Sequence, residues 1–234
     1  MGGNMYQNFP KLDSPFVREM VDGAYVVTPK IKEEYRWIFT EESLAVEKLD
    51  GTNVSVWIKN GRPHSILNRT NAIDIWKKEN EVFFTGVIES IGRGYIKPLL
   101  CEDGPVFGEL IGPGIQKNSY SLSHPLWIPF SYLIERYHFR FWPDFIKELK
   151  GKNDQEIFSA VDDLFKGLWS VYKRQRDIKS VVDENTKFEG CAAEGIVFYR
   201  KGLEGIYSQC CKLRRDMFSW FKGRRQRDDN TKYS

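Results

Sequence analysis

Lys48 stands where an apolar run meets a turn, in the order Val46-Glu47-Lys48-Leu49-Asp50-Gly51-Thr52-Asn53. A lysine amine attacks an electrophile only when neutral, and partial burial beside other cations is the usual way to bring its pKa toward working pH. Leu44 to Val46 is apolar and Asn53 to Trp57 alternates, so two strands are expected to flank Asp50-Gly51, a dipeptide that tolerates the positive φ of a tight hairpin turn. Lys48 is then fixed at a strand end. The same residues also fit an ordinary hairpin with an exposed lysine, and only partners elsewhere in the chain can separate the two readings.

Such partners recur at intervals. Four further segments carry isolated polar groups on otherwise apolar, strand-like runs: Arg69 after Ser65 to Leu67, Glu109 within Val106 to Gly112, Glu194 before Gly195 to Tyr199, and Lys212 with Arg214. Burying charge without a partner is costly, so these groups should converge on one another or on a ligand. Lys212 and Arg214 lie two apart on a strand and share a face. A merely basic edge strand is the plainer alternative for that pair.

The elements that must position these residues are mostly strands. Pro15 to Val27 suggests a short helix and a strand leading to Pro29. Val54, Val56 and Ile58 occupy one strand face, and Asn60-Gly61 turns the chain back. Residues 74 to 97 have the spacing of an amphipathic helix around Gly86. Leu126 to Phe130 is strand-like. Trp142 to Leu149, Asp154 to Leu168 and Ser170 to Asp177 have helical spacing, with Asn153-Asp154 a cap, which predicts a helical insertion near residues 135 to 180. The tail from Lys222 is strongly polar and expected to fray. We find no internal repeat and no long linker, so residues 1–234 are expected to form one domain with no separate carboxy-terminal one.

Composition narrows the class without naming the function. Aromatic residues make up 15% of the 234, which excludes a disordered chain. The formal charge is only +3, so no overall field announces nucleic acid. Cys101, Cys191, Cys210 and Cys211 have neither zinc-knuckle nor disulfide-framework spacing, and the three histidines, His64, His124 and His138, are too far apart to suggest a metal cluster. No leader-like or membrane-spanning run is apparent, so a soluble chain is expected, cytoplasmic, or nuclear or organellar in a eukaryote.

Taken in order, Lys48-Leu49-Asp50-Gly51, Arg69, Phe107-Gly108-Glu109, Glu194-Gly195-Ile196-Val197 and Lys212-Leu213-Arg214 resemble the motifs of the covalent nucleotidyltransferases, the superfamily of ligases and capping enzymes. Glu47 to Asn53, and Phe107 to Lys117 with its Gly112-Pro113-Gly114-Ile115-Gln116 core, look specifically like ATP-dependent RNA ligases of the phage RNA ligase 2 and RNA-editing ligase branch. The likeness runs from about Val46 to Phe218 and is thin between Tyr132 and Glu189.

That resemblance implies an α+β, ATP-grasp-like nucleotidyltransferase fold, with antiparallel sheets flanked by helices around a nucleotide cleft. It implies ATP and Mg²⁺ or Mn²⁺ as cofactors, and RNA ends, in nicked duplex or single strands, as partners. Lys48 would carry AMP, and Lys212 and Arg214 would neutralise the α-phosphate and help keep Lys48 unprotonated. Glu47 would help recognise adenine, Asn53 and Arg69 would contact ribose and phosphate, Glu109 would accept a ribose hydroxyl, and Phe130 would stack on the base. Glu194 would engage the metal or the lysine, with Asp50 a secondary metal candidate. A capping guanylyltransferase or DNA ligase core shares the central motifs but not Gly112 to Lys117, and an inactive RNA-binding module would not need all the charged groups.

Two features depart from the pattern. The last motif reads Lys-x-Arg where Lys-x-Lys is usual. About sixteen residues follow Phe218, too few for the carboxy-terminal domain many such ligases carry. Either an accessory subunit supplies that function, or the aromatic and basic end from Met217 to Lys222 with Arg224, Arg225 and Arg227 contacts RNA, or the chain is a piece of a longer one.

Overall fold

A computed structural model describes residues 8–69, 71–120, 122–136, 138–167, 194–201 and 209–221. In chain order the strands and helices are β1 (Phe16–Val21), β2 (Ala24–Ile31), β3 (Ser43–Lys48), β4 (Thr52–Lys59), β5 (Arg62–Asn68), β6 (Asn71–Ala72), α1 (Glu81–Gly92), β7 (Gly104–Ile111), β8 (Leu126–Pro129), α2 (Phe130–Arg136), α3 (Trp142–Glu148), α4 (Asp154–Lys166), β9 (Gly195–Arg200) and β10 (Cys210–Arg214). They form a β1–β2 hairpin, a three-stranded sheet in the order β10-β9-β3 and a five-stranded sheet in the order β6-β5-β4-β7-β8. Among the described residues every strand pairing is antiparallel. The α+β class with antiparallel sheets and flanking helices is therefore as expected.

The period-2 pattern of the strands explains how the two larger sheets stack. Val46 of β3 and Val197 and Tyr199 of β9 share one buried cluster with Phe107 and Ile111 of β7 and Ile128 of β8. This is the layer between the sheets. The alternate residues, Ala45, Ile196, Phe198, Cys211 and Leu213, face a second cluster completed by Trp142, Ile146, Ile157, Val161 and Phe165 of α3 and α4. On the far side of the five-stranded sheet, Val54, Val56, Ile58, Leu110 and Trp127 pack with Val87 of α1. Each such aliphatic side chain contributes roughly 1.5–3 kcal/mol by leaving water.

Local signals account for several boundaries. Asn60 and Gly61 have φ of 51° and 67°, the two positive values of a tight hairpin turn between β4 and β5. Asn153 caps α4 by accepting the Glu156 N–H at 3.0 Å while the Glu156 carboxylate accepts the Asn153 N–H at 2.8 Å.

Three expectations need correction. Residues 16–21 are a strand, not a helix: Arg18, Glu19 and Met20 pair with Val27, Val26 and Tyr25, so the cross-strand partner overrides local helical spacing. The amphipathic helix within 74–97 is confined to Glu81–Gly92. Asp50-Gly51 does not close a hairpin, because β3 and β4 belong to different sheets and neither residue has a positive φ. Gly51 is required instead for close approach, since a Cβ there would collide with the Leu110 carbonyl and the side chains of Ile111, at 2.7 Å, and Glu109, at 2.8 Å. The chain crosses from one sheet to the other at the residues that follow Lys48.

The helices α2, α3 and α4 start at Phe130 and supply core, and the predicted helix from Ser170 to Asp177 lies outside the described residues. The aromatic end is also core: Met217 and Phe218 are buried against α4, and Trp220 stacks on Phe218 and donates to Asp162 at 2.5 Å. Met217 and Phe218 are thus taken up by packing, while Trp220 and Phe221 remain partly exposed. Lys222 and the later arginines lie outside the described residues.

Candidate active site at the junction of two sheets

β3, β9 and β10 put their charged residues in one row. Gly195 pairs with both Lys48 of β3 and Arg214 of β10, while Val197 pairs with Lys212. Directly opposed residues share a sheet face, so Lys48, Lys212 and Arg214 all point toward the layer between the sheets. Gly195 permits the row to be tight. A Cβ at that position would strike the Leu213 carbonyl, and it would come within 2.8 Å of the Arg214 Cα.

The facing sheet contributes its own pair. Asn53 of β4 is opposite Glu109 of β7, on the face that Phe107 and Ile111 also share. Glu109 approaches the Lys48 turn, where its carboxyl accepts the Gly51 backbone N–H. Asn53 and Glu109 thus border the same inter-sheet space as the three cations.

Contacts within this space are short. Lys48 Nζ donates to Glu194 Oε2 at 2.5 Å, and the other Glu194 oxygen receives Arg214 at 3.5 Å. Arg214 also pairs with Asp216 at 3.1 Å. The Lys48 and Glu194 side chains keep 19% and 25% of their exposure, enough for a ligand to reach them. Lys212 is held below the ordinary lysine pKa first by burial and then by the Arg214 and Lys48 cations. Burial pushes Glu109 up to about 7, and the Glu194 and Asp50 carboxylates push the same way against the opposing effect of Lys48.

No family model matches the sequence, and no curated protein matches it either. Solved structures do. The similarity is to RNA ligases. A Naegleria gruberi RNA ligase variant with ATP and Mn shares 15% identity at a TM-score of 0.44, over 91% of this chain and 58% of that one. The same ligase with PPi gives 17% and 0.42 over 91% and 59%, and an apo variant gives 13% and 0.43 over 89% and 61%. The chain therefore spans about three fifths of the chains it matches. With TM-scores under 0.5, the reading of the site rests on this chain's own residues.

The remaining sequence candidates fall in different places. Glu47 is 5% exposed; burial pushes its carboxyl up to about 8, while a hydrogen bond from Tyr120 pulls the other way. Asp50 is engaged by Ser119 Oγ, consistent with a turn role. Arg69 is exposed just beyond β5, with φ of 58°, and makes none of the contacts around Lys48. Phe130 opens α2 and is buried in the inter-sheet cluster with Phe9 against it, ring centroids 4.8 Å apart. That packing leaves little of its ring face for a base.

Tyr120 is the residue sequence reasoning missed. It is 1% exposed, donates to Glu47 Oε1 at 3.2 Å and accepts the Asp50 N–H at 3.0 Å. Its only sequence signal is a lone aromatic closing the polar loop Gln116-Lys117-Asn118-Ser119. Nothing local reports that the loop returns to β3. Cys101, Cys210 and Cys211 are free thiols, and burial raises the pKa of each. Among the described residues no helix is long and apolar enough to cross a membrane.

Proposed function

We propose that this chain is the nucleotidyl-transferring part of an ATP-dependent RNA ligase. The observation that carries the reading is the Lys48–Glu194 contact at 2.5 Å beside Lys212 and Arg214. One lysine has an acceptor for its proton, and two further cations stand beside it on the same face.

In the first step the Lys48 ammonium gives a proton to Glu194, and the freed lone pair attacks the α-phosphorus of ATP. The nitrogen–phosphorus bond forms as the bond to the β-phosphate oxygen breaks, and pyrophosphate leaves. Lys212 and Arg214 are placed to neutralise charge that develops on the α-phosphate. Asn53 and Glu109 orient the ribose from the facing sheet. With its pKa near 7, Glu109 can either accept or donate a hydrogen bond at neutral pH. An RNA 5′-phosphate oxygen then displaces Lys48 from the AMP, and a 3′-hydroxyl attacks the adenylylated end and releases AMP.

Mg²⁺ or Mn²⁺ fits this site as a phosphate-bound ion. No three Asp, Glu, His or Cys side chains form a metal cage among the described residues, and Mg²⁺ usually takes one or two carboxylates together with phosphates and water. Glu194, with Asp50 second, would hold it. When bound it would lower the charge on the phosphates.

The test is incubation with α-labelled ATP, with GTP in parallel, and Mg²⁺, followed by a denaturing gel. Wild type should acquire a covalent label from ATP, and Lys48→Ala should acquire none. A label that survives Lys48→Ala sinks the reading, and a label from GTP alone makes the chain a guanylyltransferase instead. Labelled RNA ends in nicked, splinted and single-stranded form then distinguish the substrates.

A further inference from the structure

The residues flanking Lys48 are held from outside their own strand. Tyr120 bonds both to Glu47, one residue before the lysine, and to the Asp50 N–H, two residues after it. Ser119 Oγ donates to the Asp50 carboxylate, and Gln116 Nε2 reaches the Gly51 carbonyl at 3.4 Å. Three side chains of a single loop therefore grip the segment on both sides of the lysine without touching the lysine itself. The clamp is needed because β3 ends at Lys48 and the chain then leaves its sheet, so ladder hydrogen bonds cannot fix the residues that follow. Glu47 points the same way: its Oε2 is buried with no hydrogen-bond partner while Oε1 takes the phenol. A buried carboxyl is expensive to strand, so the Tyr120 bond is the contact that makes its position tolerable.

We infer that Tyr120, supported by Ser119, is a positioning residue that holds the Lys48 turn so that the amine stays aimed between Glu194 and the cations of β10. This inference rests on Lys48 being the nucleophile. Tyr120 does not meet the nucleotide; it acts on the transfer rate through the backbone at Glu47 and Asp50. Misplacing a reacting group by about 1 Å can cost on the order of 100-fold in rate, which sets the scale of the effect.

Tyr120→Phe keeps the ring in the core and removes only the hydroxyl. It should slow single-turnover formation of the covalent adenylate by about tenfold to 100-fold while KM for ATP stays within about twofold. Glu47→Leu should act similarly, and the double variant should be little worse than either single one, because both cut the same link. If Tyr120→Phe fails to fold, Ser119→Ala decides, with a smaller slowing and the same split between rate and KM. A readout that needs no nucleotide is acetylation of Lys48 by acetic anhydride, followed by mass spectrometry. Loosening the turn should raise that rate at least about threefold.

A folded Tyr120→Phe with wild-type transfer and unchanged Lys48 acetylation overturns the inference. So does a loss confined to KM, which would make Tyr120 part of the nucleotide pocket. Absence of any label on wild type is the failure of the ligase reading instead, and the acetylation comparison still tests whether Tyr120 holds Lys48.

Discussion

The two sheets that meet at the site handle charge differently. The three-stranded sheet lines up Lys48, Lys212 and Arg214, and at its end ties Lys48 and Arg214 to Glu194 and Arg214 also to Asp216. The five-stranded sheet offers one carboxyl, Glu109, across from the neutral Asn53, and burial moves that carboxyl toward its uncharged form. In the proposed reaction the cationic side would meet phosphate and the other would meet hydroxyl groups. The difference teaches that charge is sorted by sheet, before any single contact is considered.

Substitution on the cationic side should have the largest effect. Lys212→Ala removes one of the cations on the Lys48 face and is expected to slow covalent labelling by roughly 100- to 1,000-fold with a modest change in KM, measured under single-turnover conditions. A loss that appears only in KM would erase the contrast between the sheets. On the other side, Asn53→Ala and Glu109→Gln should each raise KM for ATP by about tenfold and leave the maximal labelling rate within a few-fold. Equal losses of rate there would mean that both sheets share the chemistry.

The smallest effect is on stability, and it compares the carboxyls that the two sheets bury. Glu47 rises from an ordinary value of 4.5 to about 8 in the fold, and Glu109 to about 7. Between those limits the folded protein retains protons that the unfolded chain has released, so stability is full below about pH 4.5 and is lost as pH rises toward 8. Thermal melts should therefore show a lower Tm at pH 8.5 than at pH 5. Glu47→Gln should flatten that slope more than Glu109→Gln does, since its shift is the larger. A steeper slope in Glu47→Gln would contradict the assignment.

These contrasts were only partly visible in the sequence. Lys48, Glu109, Glu194, Lys212 and Arg214 stood out because each is a charged residue on an apolar strand, where burial demands a partner. The alternation of Val54, Val56 and Ile58 disclosed their common face for the same periodic reason. The hidden parts depend on contacts distant in sequence. Phe16–Val21 becomes a strand through Ala24–Ile31, Asp50-Gly51 is a crossover because β4 pairs with β7, and Tyr120 gains its role 73 positions from Glu47. Phe130 shows the limit from the other direction: an aromatic residue at a suitable place is packed by Phe9, which its own segment could not reveal.

Gly195 gives the cationic row a hard mechanical stop. Because its bare Cα faces the backbone of β10, the spacing between Lys48 and Arg214 is set by atoms that cannot rotate aside, whereas a side-chain contact would yield. The row can neither close further nor be shimmed open without moving a whole strand. The spacing of these two cations is thus a property of the main chain, fixed before any ligand arrives.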